Sequence, residues 1–560
     1  MPIVSLQDLL TANVDVLVVG GGTCGLATAT RLAQNRPNIV VAVIEAGDYH
    51  ENDPLVDIPG MMSRAIHNPK YDWTYYTVPQ RHAGNRQILQ SHGKGLGGSS
   101  MLNFFGFVRP SKEELDAIEQ LGNIGWNWDS LSAYMKKSER VQTPDESVDT
   151  QRVAASPDPK NHGYEGPIAK SYPPHITEIH ASLLDSLECM GVPRNPDNSG
   201  GRPVGAFLAP TSVDSKTATR SYSASGYYAP NEHLPNLLVL TGALTTKINF
   251  TDGADGLRKA VSVNIEKDGV NSTVNVKKEV LLSAGSLHTP QLLELSGVGN
   301  PKILAPLGID AIIDLPGVGE NLQDHALAPT VVEVDRSFKT FEIFGDPEQL
   351  ADQQKLYTER KGLLAGKPII ADWEKSASVS AIPELDALHP SVRLGMEKQY
   401  EILRGWLKDP NQVFSHGYTT LLVAYMHPFT RGRVHITSTN PKAHPDLDPR
   451  YLANPADSGV LASMISFMRR LFKTGPSRRI YSDTPVGEVN KFVADTLATV
   501  HHPVGTASML PKELGGVVDS QLRVYGSENL RVELSCNIQS VAYAIGEKED
   551  TTTAAAEHIL

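Results

Sequence analysis

The strongest constraint on the fold lies in residues 15–45. Asp15 to Val19 (DVLVV) is a short apolar run of the kind buried on both faces of a parallel sheet. Gly20-Gly21-Gly22-Thr23-Cys24-Gly25 follows without a break, and then LATATRLAQ, a helix former rich in alanine and leucine. A second apolar run, Ile39 to Ile44 (IVVAVI), ends at Glu45, 20 residues after Gly25. Strand, glycine turn, helix, strand and acid in that order are what a βαβ nucleotide unit requires. Gly20 permits the tight turn, Gly22 lets the backbone approach a pyrophosphate, and Gly25 lets helix and strand pack closely. The helix N-terminus supplies amide donors for phosphate. Glu45 can accept hydrogen bonds from the adenosine ribose hydroxyls, and its charge disfavours the 2′-phosphate of NADP. The unit predicts a dinucleotide but does not separate FAD from NAD.

The next block, Gly93-Lys-Gly-Leu-Gly-Gly-Ser-Ser-Met-Leu-Asn103, is a glycine-serine loop able to offer several backbone amides to an anion. Its continuation, MLNFFGF, is too apolar for a solvated linker, so the segment is expected to run inside against a flat apolar group. From Gly93 to Asp116 this block resembles, position by position, the first signature of the glucose-methanol-choline (GMC) oxidoreductases. Gly285 to Gly299 (GSLHTPQLLELSGVG) resembles the second. Family-like stretches continue with DWTYYTVPQ (72–80), GWNWDSLSAYMKKSE (125–139), HGYEGPI (162–168) and LPGVGENLQDH (315–325). HPFTRGRVHI (427–436) and HHPVGTASM (501–509) extend the likeness over nearly the whole chain.

That resemblance implies FAD and an α/β, two-domain fold. A Rossmann-like FAD-binding domain would carry a substrate-binding domain of antiparallel sheet flanked by helices. Residues 1–165, 215–330 and 495–560 are expected in the FAD domain, and 166–214 and 331–494 in the substrate domain. Carried over residue by residue, Gly20, Gly22, Gly25 and Glu45 would hold the ADP half. Gly97, Gly98, Ser99 and Asn103 would line the pyrophosphate and the flavin. Some relatives tether FAD through a histidine directly before the asparagine of the first signature. Here that position is Leu102, which cannot form the bond, so FAD is expected to be non-covalent.

The family reaction removes a hydride from an alcohol, which leaves a protonated carbonyl unless a base takes the hydroxyl proton. Neutral histidine suits this task near pH 7, and general base catalysis contributes about 10²–10⁴-fold. His502, followed by Pro503-Val504-Gly505-Thr506, stands where the family places that base. His501 is adjacent, and in an extended segment consecutive side chains point to opposite sides, so only one of the two is expected in the site. The family's partner position, a histidine or asparagine before a C-terminal helix ending in Glu-Lys or Glu-Arg, falls on Asn537 ahead of Glu547-Lys548. An asparagine amide can donate to the substrate oxygen but cannot act as a base, which leaves proton transfer to His502. A helix N-cap is the other reading of Asn537, and both roles could hold together.

One departure stands out. Relatives continue the Asn-Leu-Arg-Val strand with an Asp-Ala-Ser stretch and a proline, and in the family that aspartate lies close to the flavin. Here Asn529-Leu530-Arg531-Val532 passes straight to Glu533-Leu534-Ser535-Cys536-Asn537, a connection roughly ten residues shorter, and loops of that length are often functional. The shortening bears on flavin affinity and on the placing of Asn537.

Bulk properties narrow the remaining classes. A chain of 560 residues exceeds one compact core. With 63 acids against 51 bases and a net charge of -12, no basic footprint for nucleic acid exists. Cys24, Cys189 and Cys536 are too sparse for a zinc knuckle or a disulfide framework. With no HExxH and no GxSxG, a zinc or serine hydrolase is disfavoured, and no metal is expected. No apolar stretch is long enough for a bilayer and no signal peptide is visible, so an intracellular, cytoplasmic enzyme is expected. Its partners would be a small alcohol, primary and in the narrower expectation aromatic, and O2 or a quinone-type acceptor. Two alternatives stay open: a hydroxynitrile lyase on the same scaffold, and a homologue impaired by the shortened connection.

Overall fold

The computed structural model describes residues 3–144, 146, 148–176, 178–334, 347–366, 417–476, 489–533 and 538–555. In chain order, the elements that position the site begin with strand β1 (Val16–Val19), helix α1 (Thr23–Asn35) and strand β2 (Val41–Ile44). The one-turn helix α2 (Ser99–Leu102), strand β3 (Leu237–Leu240), strand β4 (Glu279–Leu282) and helix α3 (Gly285–Leu295) follow. The later ones are β5 (Ala326–Val334), β6 (Gly417–Tyr425), α4 (Pro455–Phe472), β7 (Ala498–Thr499), β8 (Leu530–Val532) and α5 (Gln539–Ala555).

A five-stranded sheet in the order β8-β4-β1-β2-β3 is parallel at every pairing. The unbroken apolar character of β1 follows from burial on both faces. Val16 and Val18 pack with Leu26, Ala29 and Leu32 of α1, whereas Leu17 and Val19 face the opposite layer with Leu292 and Leu293 of α3. β1 is central because β2 and β4 pair with it residue for residue, Val19 lying beside both Ile44 and Leu282. A three-stranded antiparallel unit (Leu244–Asp252, Arg258–Lys267, Val270–Asn275) separates β3 from β4.

Helix α5 seals α1 despite the short connection before it. A Cβ on Gly546 would lie 2.8 Å from Ala27 Cβ, so the two helices meet at small residues. Cys24 Sγ donates to the Ala542 carbonyl at 2.8 Å. The buried Glu547 pairs with Arg31 at 2.7 Å and Lys137 at 2.8 Å and accepts from the Tyr227 hydroxyl at 2.8 Å. A buried carboxylate requires such compensation, and here it locks the C-terminal helix onto the nucleotide unit.

The second architecture is an antiparallel sheet, β6-β5-β7, backed by α4 and by the helix Val489–Thr496. Ala326, Ala328, Val423 and Tyr425 of the sheet pack on Leu461 and Ile465 of α4 and on Val493. The fold is therefore the expected α/β arrangement, a Rossmann-like unit joined to an antiparallel sheet flanked by helices. Because β5 and β7 run antiparallel with Ala326 opposite Thr499, the chain leaving β7 passes the residues entering β5. That brings His501 and His502 to Asp324 and His325. Among the described residues no helix is long and apolar enough to cross a membrane.

Candidate functional site

A cavity of about 830 Å³ opens over the carboxyl ends of β1, β2 and β4 and reaches the turn after β7. Ligands of open parallel sheets bind in such a crevice. One wall is mostly backbone. Gly20 has φ +104, and a Cβ there would stand 2.5 Å from the Ser283 carbonyl oxygen, so only glycine makes this turn. Gly22 caps α1 without any side-chain hydrogen bond, and the nearest atoms to a Cβ built on it lie 3.8 Å away. The N-terminus of α1 thus opens on the cavity without a side-chain cap, and α3 begins beside it, also without one. Gly98 (φ +51) comes so close to Gly22 that a Cβ would sit 2.8 Å from its Cα.

Carboxyl groups flank this turn. Glu45 lines the cavity after β2 and accepts from the Gly21 amide at 2.9 Å and the Gly47 amide at 2.8 Å. Burial raises its pKa to about 7 against the pull of those amides. The Gly95 and Ala46 amides also favour the charged carboxylate. Ser99 and Asn103 line the same wall; Asn103 Nδ2 donates to Gln539 Oε1 at 3.2 Å, and its Oδ1 accepts from Arg220 at 2.9 Å. Uncapped amides for phosphate, open space at Gly22 and a hydroxyl-accepting carboxyl are together a donor and acceptor set that fits a dinucleotide.

Gly25 and Gly97 do not line the cavity. Their role is packing: a Cβ on Gly25 would lie 2.2 Å from the Gly20 oxygen, and one on Gly97 would lie 2.6 Å from the Tyr222 ring. Leu102 is buried and lines the cavity, as the first signature suggested for an inward-running segment. Phe105 and Phe107 are fully buried, while Phe104, 40% exposed, faces the cavity.

The opposite wall is made of side chains. His92, His288, His501 and His502 all line it, with Ser91 and Trp73. Burial lowers His502 and His92 to about 4, and His288 and His501 to about 3; neighbouring histidines add to the effect at His502, His288 and His501, whereas Asp72 opposes it at His92. All four imidazoles are therefore neutral at pH 7. His502 Nδ1 lies 3.1 Å from His325 Nδ1, and the His502 backbone amide donates to Asp324 Oδ1 at 2.9 Å. Asp324 is itself buried and also accepts from Thr499 Oγ1 at 2.6 Å, from Gln90 and from Tyr451. Burial raises its pKa, and these donors oppose the rise.

The expectation that only one of the two adjacent histidines faces the site is corrected. His501 has φ +60, so the segment is not extended there, and both side chains line the cavity. They are distinguished by their partners: His501 Nδ1 accepts the Ser91 amide at 3.1 Å, which commits that nitrogen. Asn537 lies outside the described residues. Asp324, His325 and His92 were not singled out from the sequence, although the stretch 315–325 was family-like; nothing local marks Asp324 or His325, whose partners Thr499 and His502 lie more than 170 residues away.

Comparison with known proteins agrees with this geometry. Family profiles described as GMC oxidoreductase match residues 14–327 and 428–546. Dehydrogenase mpl7 of Monascus purpureus is 34% identical over 615 residues, covering 98% of this chain and 97% of that protein. An FAD-dependent oxidoreductase from Chaetomium thermophilum superposes with a TM-score of 0.83 at 27% identity, covering 98% of this chain and 100% of the other. A fungal aryl-alcohol oxidase gives 0.80 at 27% identity, covering 98% and 99%.

Proposed function

The chain belongs to the GMC oxidoreductase family of FAD-dependent enzymes acting on CH–OH donors, and on that premise we propose that it oxidises a primary alcohol to an aldehyde with His502 as general base. The observation that carries this reading is the contact between His325 and His502. Two neutral imidazoles 3.1 Å apart share one proton between their Nδ1 atoms, so one ring donates and the other accepts. His325 is also held by a hydrogen bond to the Met426 backbone. If Nε2 of His325 makes that bond, its Nδ1 is the acceptor and the shared proton sits on His502 Nδ1. His502 Nε2 is then a free lone pair, which is the tautomer a base needs.

In the reaction, His502 Nε2 takes the hydroxyl proton while the carbinol hydride leaves, and the carbonyl forms without a cationic product. When bound, FAD supplies the hydride acceptor, at flavin N5. Gly20, Gly22 and Glu45 would hold its ADP half, and Gly98, Ser99 and Asn103 the pyrophosphate and flavin, with Gly25 and Gly97 shaping the turn behind them. Leu102 supports a non-covalent flavin. Asn537 would donate to the alcohol oxygen. Phe104, Leu422 and Met426 line the cavity while remaining 39–50% exposed, an apolar rim that supports an aromatic or otherwise apolar alcohol. O2 or a quinone-type acceptor would complete turnover.

Anaerobic mixing with a panel of alcohols tests the proposal. Bleaching of the flavin absorbance by an apolar primary alcohol is the expected result, with peroxide on admission of air marking an oxidase. Bleaching that is equally fast in His502→Ala would remove His502 from the role, and a panel that bleaches nothing would overturn the reading.

A further inference from the structure

The carboxyl ends of the parallel strands present a sequence of groups to the cavity. Glu45 follows β2, Gly20 follows β1, Ser283 follows β4 and Glu533 follows β8, in the spatial order set by the sheet. All four line the cavity. Glu533 is 3% exposed, and its backbone amide continues the sheet by donating to the Leu282 carbonyl at 2.9 Å. One of its carboxyl oxygens, Oε2, accepts from Ser283 Oγ at 2.5 Å. The carboxyl group also draws on the Thr28 hydroxyl, and its other oxygen, Oε1, is buried without a close hydrogen bond among the described residues. A native fold seldom leaves a buried carboxyl oxygen unsatisfied unless a ligand supplies the donor.

The geometry points to Glu533 as a cofactor-binding residue whose Oε1 accepts a hydrogen bond from a hydroxyl of the FAD ribityl chain. The inference rests on FAD binding and on the placing of Glu45 at the adenosine ribose, not on alcohol oxidation. With the ADP ribose at Glu45 and the pyrophosphate at the turn after β1, the next part of the dinucleotide across β4 and β8 is the ribityl chain. A pyrophosphate oxygen is the wrong partner, since two acceptors would face each other. A polyol supplies the O–H donor that a carboxyl oxygen lacks. Burial raises Glu533 to about 7, as it does Glu45, so two similar carboxyls bracket the glycine turn, one for each sugar-like segment. In the sequence, Glu533 opens the connection that is shorter than in relatives, so this chain places its own carboxylate where that connection departs from the family pattern.

Equilibrium binding of FAD and of ADP to the deflavinated full chain, read by flavin fluorescence and by calorimetry, tests the assignment. Glu533→Leu removes the acceptor and should weaken FAD by roughly tenfold to a hundredfold while leaving ADP, which has no ribityl chain, within about twofold. Glu533→Gln keeps a carbonyl acceptor and should fall between wild type and Glu533→Leu. Equal losses for FAD and ADP, or no loss for either, would overturn the proposal. Should the variants fold poorly, ribityl-deoxy analogues of FAD on the wild-type chain give the same answer: one of them must bind roughly tenfold or more weakly than FAD, and analogues that all match FAD refute the contact. None of these readouts involves alcohol, so failure here is separate from failure of the base assignment at His502.

Discussion

The two walls of the cavity solve recognition in opposite ways. Around β1, the groups that face the ligand are amides and empty space, provided by glycines and uncapped helix ends. Across from them, the groups are imidazoles held by other side chains, with Asp324 and His325 behind His502. The backbone wall tolerates little substitution at Gly20, Gly25 and Gly98, where a Cβ would collide with neighbouring backbone. A side-chain wall tolerates shape changes but depends on which nitrogen carries a proton. The first selects a cofactor by fit; the second sets chemistry by tautomer.

The largest effect should come from breaking the backbone wall. Gly25→Val puts a Cβ 2.2 Å from the Gly20 oxygen and 2.9 Å from Ser283 Cβ, so α1 cannot stay against β1. A loss above about 4 kcal/mol is expected, read as absence of soluble yellow protein. Normal yield and colour would show that the helix can shift outward, and the contrast between the walls would weaken.

Next in size, His502→Ala should lower kcat/KM by about 10²–10⁴-fold while the flavin spectrum and melting temperature stay near wild type. Loss of bound flavin instead would mean that the histidine wall also builds the cradle. A smaller effect, about 10–100-fold on kcat, is expected from His325→Phe, which keeps the ring volume but removes the acceptor for His502 Nδ1. His325→Asn, with a carbonyl acceptor, should recover part of it. If Phe and Asn behave alike, the tautomer argument fails and His325 is only packing.

The smallest effect separates the walls by pH. The imidazoles sit at about 3 to 4 in the fold against an ordinary 6.5. Between those values the unfolded chain binds protons that the folded chain refuses, so their contribution is full above pH 6.5 and is lost as pH falls toward 4. Glu45 and Glu533 have the opposite sign: raised from 4.5 to about 7, they oppose folding most above pH 7 and are relieved as pH drops. In thermal melts of the deflavinated chain, His92→Gln should therefore gain on wild type as pH falls from 7 to 5, by a few degrees. Glu45→Gln should gain on wild type as pH rises over the same range. Parallel trends for the two variants would contradict the assigned directions.

Much of the first wall was legible because its requirements are local. Gly20, Gly22 and Gly25 stand within six residues of one another, and the absence of a side chain is written in the residue itself. Glu45 could be placed because the length of a helix and a strand fixes where the second strand ends. Gly97, expected at the cofactor, packs on Tyr222, a residue more than a hundred positions away that no local pattern points to. His501 was expected to point away, and a single positive φ reversed that. Glu533 drew notice only through what was missing around it, while its surroundings are set by the meeting of β8 with β4 and α1.

By itself, then, the amino-acid order determined the βαβ unit, since that depends on short-range periodicity and on glycines whose reasons are steric and nearby, while FAD and the family chemistry followed from the resemblance of long stretches to the GMC oxidoreductases. Only the folded chain decided that the His502 ring meets His325, that two consecutive histidines share one cavity, and that a buried carboxyl after β8 faces the same crevice as Glu45. Those outcomes depend on pairings across 170 to 500 residues, where burial and hydrogen-bond partners are set by how the two sheets come together, and no local pattern encodes that meeting.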